Sequence, residues 1–286
     1  MATSVSVRSR GGRNPALRRY LQAFRSPKGA IGASLLLVLV TLALAAPLLF
    51  PGGYDVQSSD SLRPPSLAHP FGTDELGRDL FTRTIYGLRV DLSIVAAAVP
   101  LGLVTGTALG MIGALSRSAG TLVQRGLDVI VGFPGIVLGV CIVLVLGTGW
   151  TSLVIAIAIS SLPTFGRLSR AVMLSQNERE YVIAARTLGV SRMRIVLRHL
   201  LPNALDPILV AGSVYVVYAI FIEAGLSIIG LGIQPPEPSL GSLLNNATRF
   251  INQAPTFIVG PTLVLFLLAL AFSLISDALN RTVNRA

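Results

Sequence analysis

The sequence predicts an all-α, polytopic membrane protein with six transmembrane helices. Three observations lead there. Hydrophobic residues make up 52% of the 286 and charged residues only 13%, against about 25% charged in soluble domains. Uncharged apolar runs of about 20 residues or more, the length a helix needs to cross hydrocarbon, recur along the chain. The 23 basic residues, 22 of them Arg, avoid those runs and gather at their ends. That placement makes the net charge of +10 a membrane-orientation signal and argues against nucleic-acid binding.

The first span lies in the uncharged run 29–54 and ends near Phe50. It is too long for a signal-peptide core and no clear cleavage site follows, so it is read as a retained helix. The second runs from Leu92 to Ser116, with Gly102, Gly106 and Gly110 forming a small-residue ridge for close helix packing. Residues 129–166 carry no charge and are too long for one span. Gly147, Thr148, Gly149 and Trp150 divide them into a hairpin of two helices. Cys141, inside this region, reads as a small buried apolar side chain. The fifth span is predicted to start at Pro207, with Asp206 as N-cap, and to reach about Gly230. The sixth covers about Thr256–Ser276, with Asp277 at its end read as interfacial.

Backbone polar groups in lipid must be satisfied internally, which makes each span a helix. With the N-terminus inside, 18 basic residues fall on the inner side and 5 on the outer. The positive-inside rule then predicts that both termini are cytoplasmic. The first 15 residues are expected to be disordered. Leu17, Tyr20, Leu21 and Phe24 follow at helical spacing and predict a short helix on the inner membrane surface. The outer segment 51–89 is long for a connector. Within it Thr73 is expected to cap a helix over about 74–88, with Asp74 and Glu75 in its first turn.

Enzyme chemistry finds little support. The only lysine, Lys28, precedes Gly29, so the glycine-rich loop ending in Lys-Ser or Lys-Thr that cradles nucleotide phosphates is missing. There is no Gly-x-Ser-x-Gly turn for a serine nucleophile. His69 and His199 stand far apart and suggest no metal site.

The most informative stretch lies between the fourth and fifth spans. Tyr181, Ala184, Ala185 and Leu188 fall at i, i+3, i+4 and i+7 and share a helix face. Gly189 can end that helix in the left-handed conformation. Ser191 can cap a second helix from Arg192, and Pro202 is expected to end it. Small Ala residues on such a face suit either insertion into a partner's groove or a plain helical linker resting on the membrane.

This segment resembles the cytoplasmic EAA loop of bacterial ABC importer permeases. Ala184, Ala185, Gly189, Leu201 and Pro202 match that pattern in register, while Ile183 stands in place of its Glu and His199 in place of its Ile. The strings AARTLGVSRMRI and RHLLPNA are similar to the form found in dipeptide, oligopeptide and nickel permeases. HPFGTDELGRDLFTR (69–83) resembles the external motif of the C-type permease of these importers and separates it from the B-type partner. Asp74, Gly77, Arg78 and Asp79 belong to that motif. DVIVGFPGIVLG (128–139) and EAGLSIIGLGIQPPEPSLGSLL (223–244) are similar to its third and fifth spans, with Leu240 where Trp is common.

The resemblance implies a type I ABC importer permease fold, with a tail at 1–28, a first helix and external loop at 29–88, the permease domain at 89–277 and a second tail at 278–286. It implies three kinds of partner besides the bilayer: a homologous B-type permease, two cytoplasmic ATPase subunits and an external substrate-binding protein. ATP and Mg would sit on the ATPases, and this chain would carry no cofactor, metal or catalytic residue. It places the protein in the bacterial plasma membrane and makes peptides the expected cargo. Glu180, Tyr181, Ala184, Ala185, Leu188, Gly189, Ser191 and Arg192 would couple to the ATPases. Glu223, with Ser227 four residues on, stands in the fifth span, where a charge is costly. It reads either as a pathway residue or as an acceptor between helices. A rival from another class is an ion-coupled secondary transporter or channel working without ATPases, for which Glu223 is the supporting feature.

Overall fold

The computed structural model describes residues 15–284, with side chains for 20–116 and 118–282. The expected disorder before Pro15 and the side chain of Leu17 lie outside the described residues. Within them the regular structure is helical, apart from one antiparallel bridge between Thr73 and Asp79.

A short helix, α1 (Pro15–Arg25), turns at Ser26 into α2 (Pro27–Leu49). Ser26 Oγ accepts the Gly29 amide at 3.1 Å, and Pro27 fits the first turn, where its missing N–H costs nothing. Among the described side chains of α1, Ala23 is buried, whereas Leu21 and Phe24 are exposed. Tyr20 Oη donates to Asp206 Oδ1 at 2.6 Å.

The helix α3 (Leu80–Leu115) is one continuous rod of 36 residues, about 54 Å at 1.5 Å per residue. This corrects the expected separate helix at 74–88. Gly72 and Gly77 have positive φ (+83° and +68°), which keeps the backbone before Asp79 in turns. The cap is Asp79, whose carboxylate accepts the Thr82 amide at 2.7 Å, and not Thr73.

The central packing is α3 against α6 (Trp150–Asn177). The glycine ridge faces α6: a Cβ on Gly102 would stand 3.0 Å from the Ala158 carbonyl, one on Gly106 2.8 Å from Phe165 Cβ, and one on Gly110 2.6 Å from the Gly166 carbonyl. Any side chain there would push the helices apart.

The third span differs from expectation. It is split into α4 (Arg117–Val131) and α5 (Gly135–Leu146), which meet at 93°. Pro134 has no amide to continue the ladder and its ring excludes the helical path before it. The twelve residues of α5 reach about 18 Å, too short to cross alone. Such a half-length helix is poorly covered, and Cys141 on it is exposed rather than buried. The turn at Gly147–Gly149 is as expected, with both glycines at positive φ.

After α6 come α7 (Glu180–Thr187) and α8 (Arg192–Ile195). A π turn over Val196–Leu200 then runs directly into α9 (Leu201–Ile228). Neither Pro202 nor Pro207 breaks this rod, contrary to both expectations. The Leu201 amide reaches back five residues to Val196 O, and the wider turn accommodates the proline that follows it. Asp206 is therefore interior to α9 and bonds Tyr20 rather than capping.

A tenth helix, α10 (Leu240–Arg249), leads through a 3₁₀ turn (Pro255–Ile258) into α11 (Val259–Asn284). Lys28 meets Asp277 at 3.0 Å across the α2–α11 contact, with both side chains about half exposed. By length and composition α2, α3, α6, α8–α9 and α11 can each cross a membrane, and the bent α4–α5 pair taken together has the length and composition of a sixth. The chain is a multi-pass membrane protein.

Candidate functional site: a turn at one end and buried carboxylates

The α7–α8 element hangs at the end of the bundle where α3 finishes. Its turn closes as a helix C-terminal motif. The Val190 amide donates to Ala185 O at 3.1 Å and the Gly189 amide to Arg186 O at 2.9 Å. Gly189 has φ +75°, the left-handed geometry anticipated for it. Ser191 follows with extended backbone at the start of α8, but its hydroxyl makes no capping bond, so that part of the expectation fails. The Ile195 amide bonds the Ser191 carbonyl instead.

The predicted four-residue face divides. Ala185 is buried together with Val182, and the two pack with Met173, Ile195, Val196 and Leu200. Tyr181, Ala184 and Leu188 remain exposed, Leu188 at 83%. The reason is geometric: Val182 and Ala185, three apart, point the helix to one side of the predicted stripe, and Ala185 marks its border. Tyr181 Oη donates to Gln176 Oε1 at 2.9 Å, and the ring lies 6.2 Å from that of His199. Arg186 donates to Asn177 Oδ1. Glu180 and Arg192 are exposed on either side of the turn.

At the opposite end, segment 50–79 folds into a tight knot. Asp74 is 1% exposed and Arg78 4%. The Asp74 carboxylate accepts the amides of Leu76 and Arg78, each at 2.9 Å, and pairs with Arg78 Nε at 2.7 Å. Arg78 also donates to Asp55 at 2.9 Å and Glu75 at 3.3 Å. Burial alone would lower the Arg78 pKa, but the bonds to Asp55 and Asp74 outweigh it and raise it. Asp79 pairs with His69 Nδ1 at 2.9 Å besides capping α3. Gly77 turns beneath Ser58, whose hydroxyl donates to Gly77 O at 2.7 Å.

Glu223 is completely buried, and its Oε1 accepts the Ser227 hydroxyl at 2.7 Å. A second buried acid, Asp91 on α3, reaches the same turn before α10. Asp91 Oδ2 accepts the Leu240 amide at 3.2 Å, and Ser239 Oγ donates to Ser227 Oγ at 3.4 Å. Asp91 Oδ1 and Glu223 Oε2 have no hydrogen-bond partner among the described residues. Sequence reasoning missed Asp91. It stood one residue outside the span read from Leu92, although α3 carries it well inside the rod.

A family model described as a binding-protein-dependent transport system inner membrane component matches residues 106–286. The chain belongs to that family. It is 37% identical over 273 residues to a dipeptide transport system permease protein, DppC, of Alkalihalophilus pseudofirmus, covering 95% of this chain and 90% of that protein. It is 36% identical over 290 residues to a glutathione transport system permease protein, GsiD, of Pectobacterium atrosepticum, covering 99% and 95%. The di/tripeptide permease DppC of Pseudomonas aeruginosa is 38% identical over 277 residues, covering 94% and 91%. Among solved structures, the fold is similar to the inward-facing methionine ABC transporter MetNI, with a TM-score of 0.57 at 20% identity over 70% of this chain and 94% of that one. An amino acid ABC transporter gives a TM-score of 0.55 at 23% identity, covering 72% and 94%.

For this family member the match begins part-way along α3. The α7–α8 turn and Glu223 lie inside it, whereas α1, α2, the 50–79 knot and Asp91 precede it. The relatives align over nearly the whole chain and run through those earlier elements as well.

Proposed function

We propose that this chain is one of two permease subunits of an ATP-driven importer of small peptides, and that α7, Gly189 and α8 couple it to the ATPases. The observation that carries the reading is the division of α7. Val182 and Ala185 root the element in the bundle, while Tyr181, Ala184 and Leu188 are left bare at its tip. An element rigidly attached on one side and apolar on the other suits a partner groove and transmits displacement instead of absorbing it. The neighbouring π turn leads straight into α9, so a push on α7 reaches a membrane-crossing rod.

In this reading ATP and Mg belong to two cytoplasmic ATPase subunits, a homologous B-type permease completes the path, and an external binding protein delivers cargo. The termini and α7 face the cytoplasm and the 50–79 knot faces outward, in the plasma membrane. The peptide cargo rests on the names of the relatives, which transport dipeptides, di- and tripeptides and glutathione. The test is uptake of a labelled dipeptide by vesicles holding the full complex, with and without ATPase subunits that bind but do not hydrolyse ATP. Uptake should vanish with the inactive ATPases. Uptake that persists would turn the reading toward an ion-coupled carrier using the Asp91–Glu223 pair.

A further inference from the structure

A groove of about 530 Å³ runs between α2 and α3. On α3 it is lined at helical spacing by Arg89, Ser93, Ala96 and Pro100, and on α2 by Val40 and Leu44. The walls are almost wholly apolar, and the one charged residue is Arg89, at one end. From Arg89 to Pro100 the α3 wall extends about 16 Å at 1.5 Å per residue.

The two other arginines of this part of α3 and its approach, Arg78 and Arg83, are buried and engaged with carboxylates. Arg89 is exposed, and among the described residues no carboxylate or hydrogen-bond acceptor meets it. An arginine beside a membrane-crossing groove wants an anion at headgroup level, with its aliphatic stem lying along apolar surface. Trp150 marks that level independently. It opens α6 beside the groove, is 42% exposed, and its indole Nε1 donates to Ser93 Oγ at 2.9 Å, one turn from Arg89. Tryptophan concentrates where hydrocarbon meets headgroups.

We propose that this groove is a binding site for one anionic glycerophospholipid, with an acyl chain along α2 and α3 and its phosphate on Arg89. The guanidinium fork fits two phosphate oxygens, a geometry an ammonium cannot reproduce. The site does not depend on the transport reading. It requires only that α2 and α3 stand in a bilayer.

The test is native mass spectrometry of the complete transporter released from nanodiscs of equal phosphatidylglycerol and phosphatidylethanolamine. We expect one tightly retained phosphatidylglycerol per chain. Arg89→Gln should lower the preference for phosphatidylglycerol by about fivefold, the effect of one basic side chain at a membrane surface. Arg89→Lys should restore part of it. Ala96→Phe, at an exposed position that tolerates bulk without disturbing the core, should expel the lipid whatever its headgroup. Adding inorganic phosphate should not displace it, because the chain supplies the binding. Equal retention in wild type and Arg89→Gln would overturn the proposal. So would a groove free of lipid in the assembled complex because another subunit fills it.

Discussion

Asp91 and Leu240, 149 residues apart, are joined by a hydrogen bond of 3.2 Å from the Leu240 amide to Asp91 Oδ2. The bond fixes the first turn of α10 to α3 at a buried site, where an unpaired amide would be costly. Asp91→Ala should therefore lower stability by about 1–3 kcal/mol, since it leaves the buried Leu240 amide without its acceptor. Hydrogen exchange should show α10 opening first. Asp91→Asn keeps an acceptor for the Leu240 amide. It should melt within about 1 kcal/mol of the wild type. A loss in Asp91→Asn equal to that in Asp91→Ala would show that the bond is not what anchors α10.

Glu223 is expected to behave as Asp91's partner rather than as an independent site. Its bond to Ser227, with Ser227 in turn joined to Ser239, ties it to the start of α10, where the Leu240 amide meets Asp91. The effects of Asp91→Ala and Glu223→Ala should consequently fall short of additive by at least about 0.5 kcal/mol in a double-mutant cycle. Strict additivity in chemical unfolding would separate the two residues.

The sequence carried more of this cluster than was read from it. Leu240, Leu243, Leu244 and Ala247 recur at i, i+3, i+4 and i+7 behind Ser239, and all four are buried. That pattern was open to inspection, but the segment passes for a loop if only span-length apolar runs are sought. Asp91 falls between the helix expected over about 74–88 and the span read from Leu92, and so belongs to neither. Once α3 is continuous the acid lies inside a membrane-crossing rod. The glycine ridge and the Gly189 turn were legible because each is a local steric demand. The bend at Pro134 is equally local, since proline lacks the amide and blocks the helical path before it, whereas the burial of Ala185 depends on which neighbour the helix meets.

The knot before α3 should be sensitive to one residue. The Arg78 side chain is only 5% exposed and meets Asp55, Asp74 and Glu75. Arg78→Ala would leave buried Asp74 with Arg83, at 3.3 Å, as its remaining cation, a loss of about 1.5–3 kcal/mol. Arg78→Lys should recover little, because one ammonium cannot serve three carboxylates set around a planar fork. Thermal unfolding in detergent measures both. Limited proteolysis should cut the variants within 50–79 and spare the wild type.

Orientation can be read by labelling. In a Cys141→Ala background, Ser66→Cys and Leu188→Cys each place one thiol at an exposed position. A membrane-impermeant maleimide should label residue 66 in intact cells and residue 188 only after permeabilisation. Labelling of both in intact cells would reject the proposed arrangement.

Gly189 gives the sharpest test of coupling. Its φ of +75° is costly for a residue bearing a Cβ, by about 1–2 kcal/mol, yet no atom stands within 4 Å of where that Cβ would be. The penalty is therefore backbone strain alone, separable from bulk. Gly189→Ala should loosen the bond from Val190 to Ala185 and weaken ATPase association without changing membrane level. Gly189→Asn should do less harm, because asparagine visits the left-handed region more readily. Gly189→Arg adds a long cation beside exposed Leu188 and should abolish ATP-dependent uptake. The ordering Asn, then Ala, then Arg, in increasing loss of association by pull-down, is what a left-handed turn at a docking tip requires. Were all three to associate and transport like the wild type, α7 would be a linker and the coupling would lie elsewhere on this face.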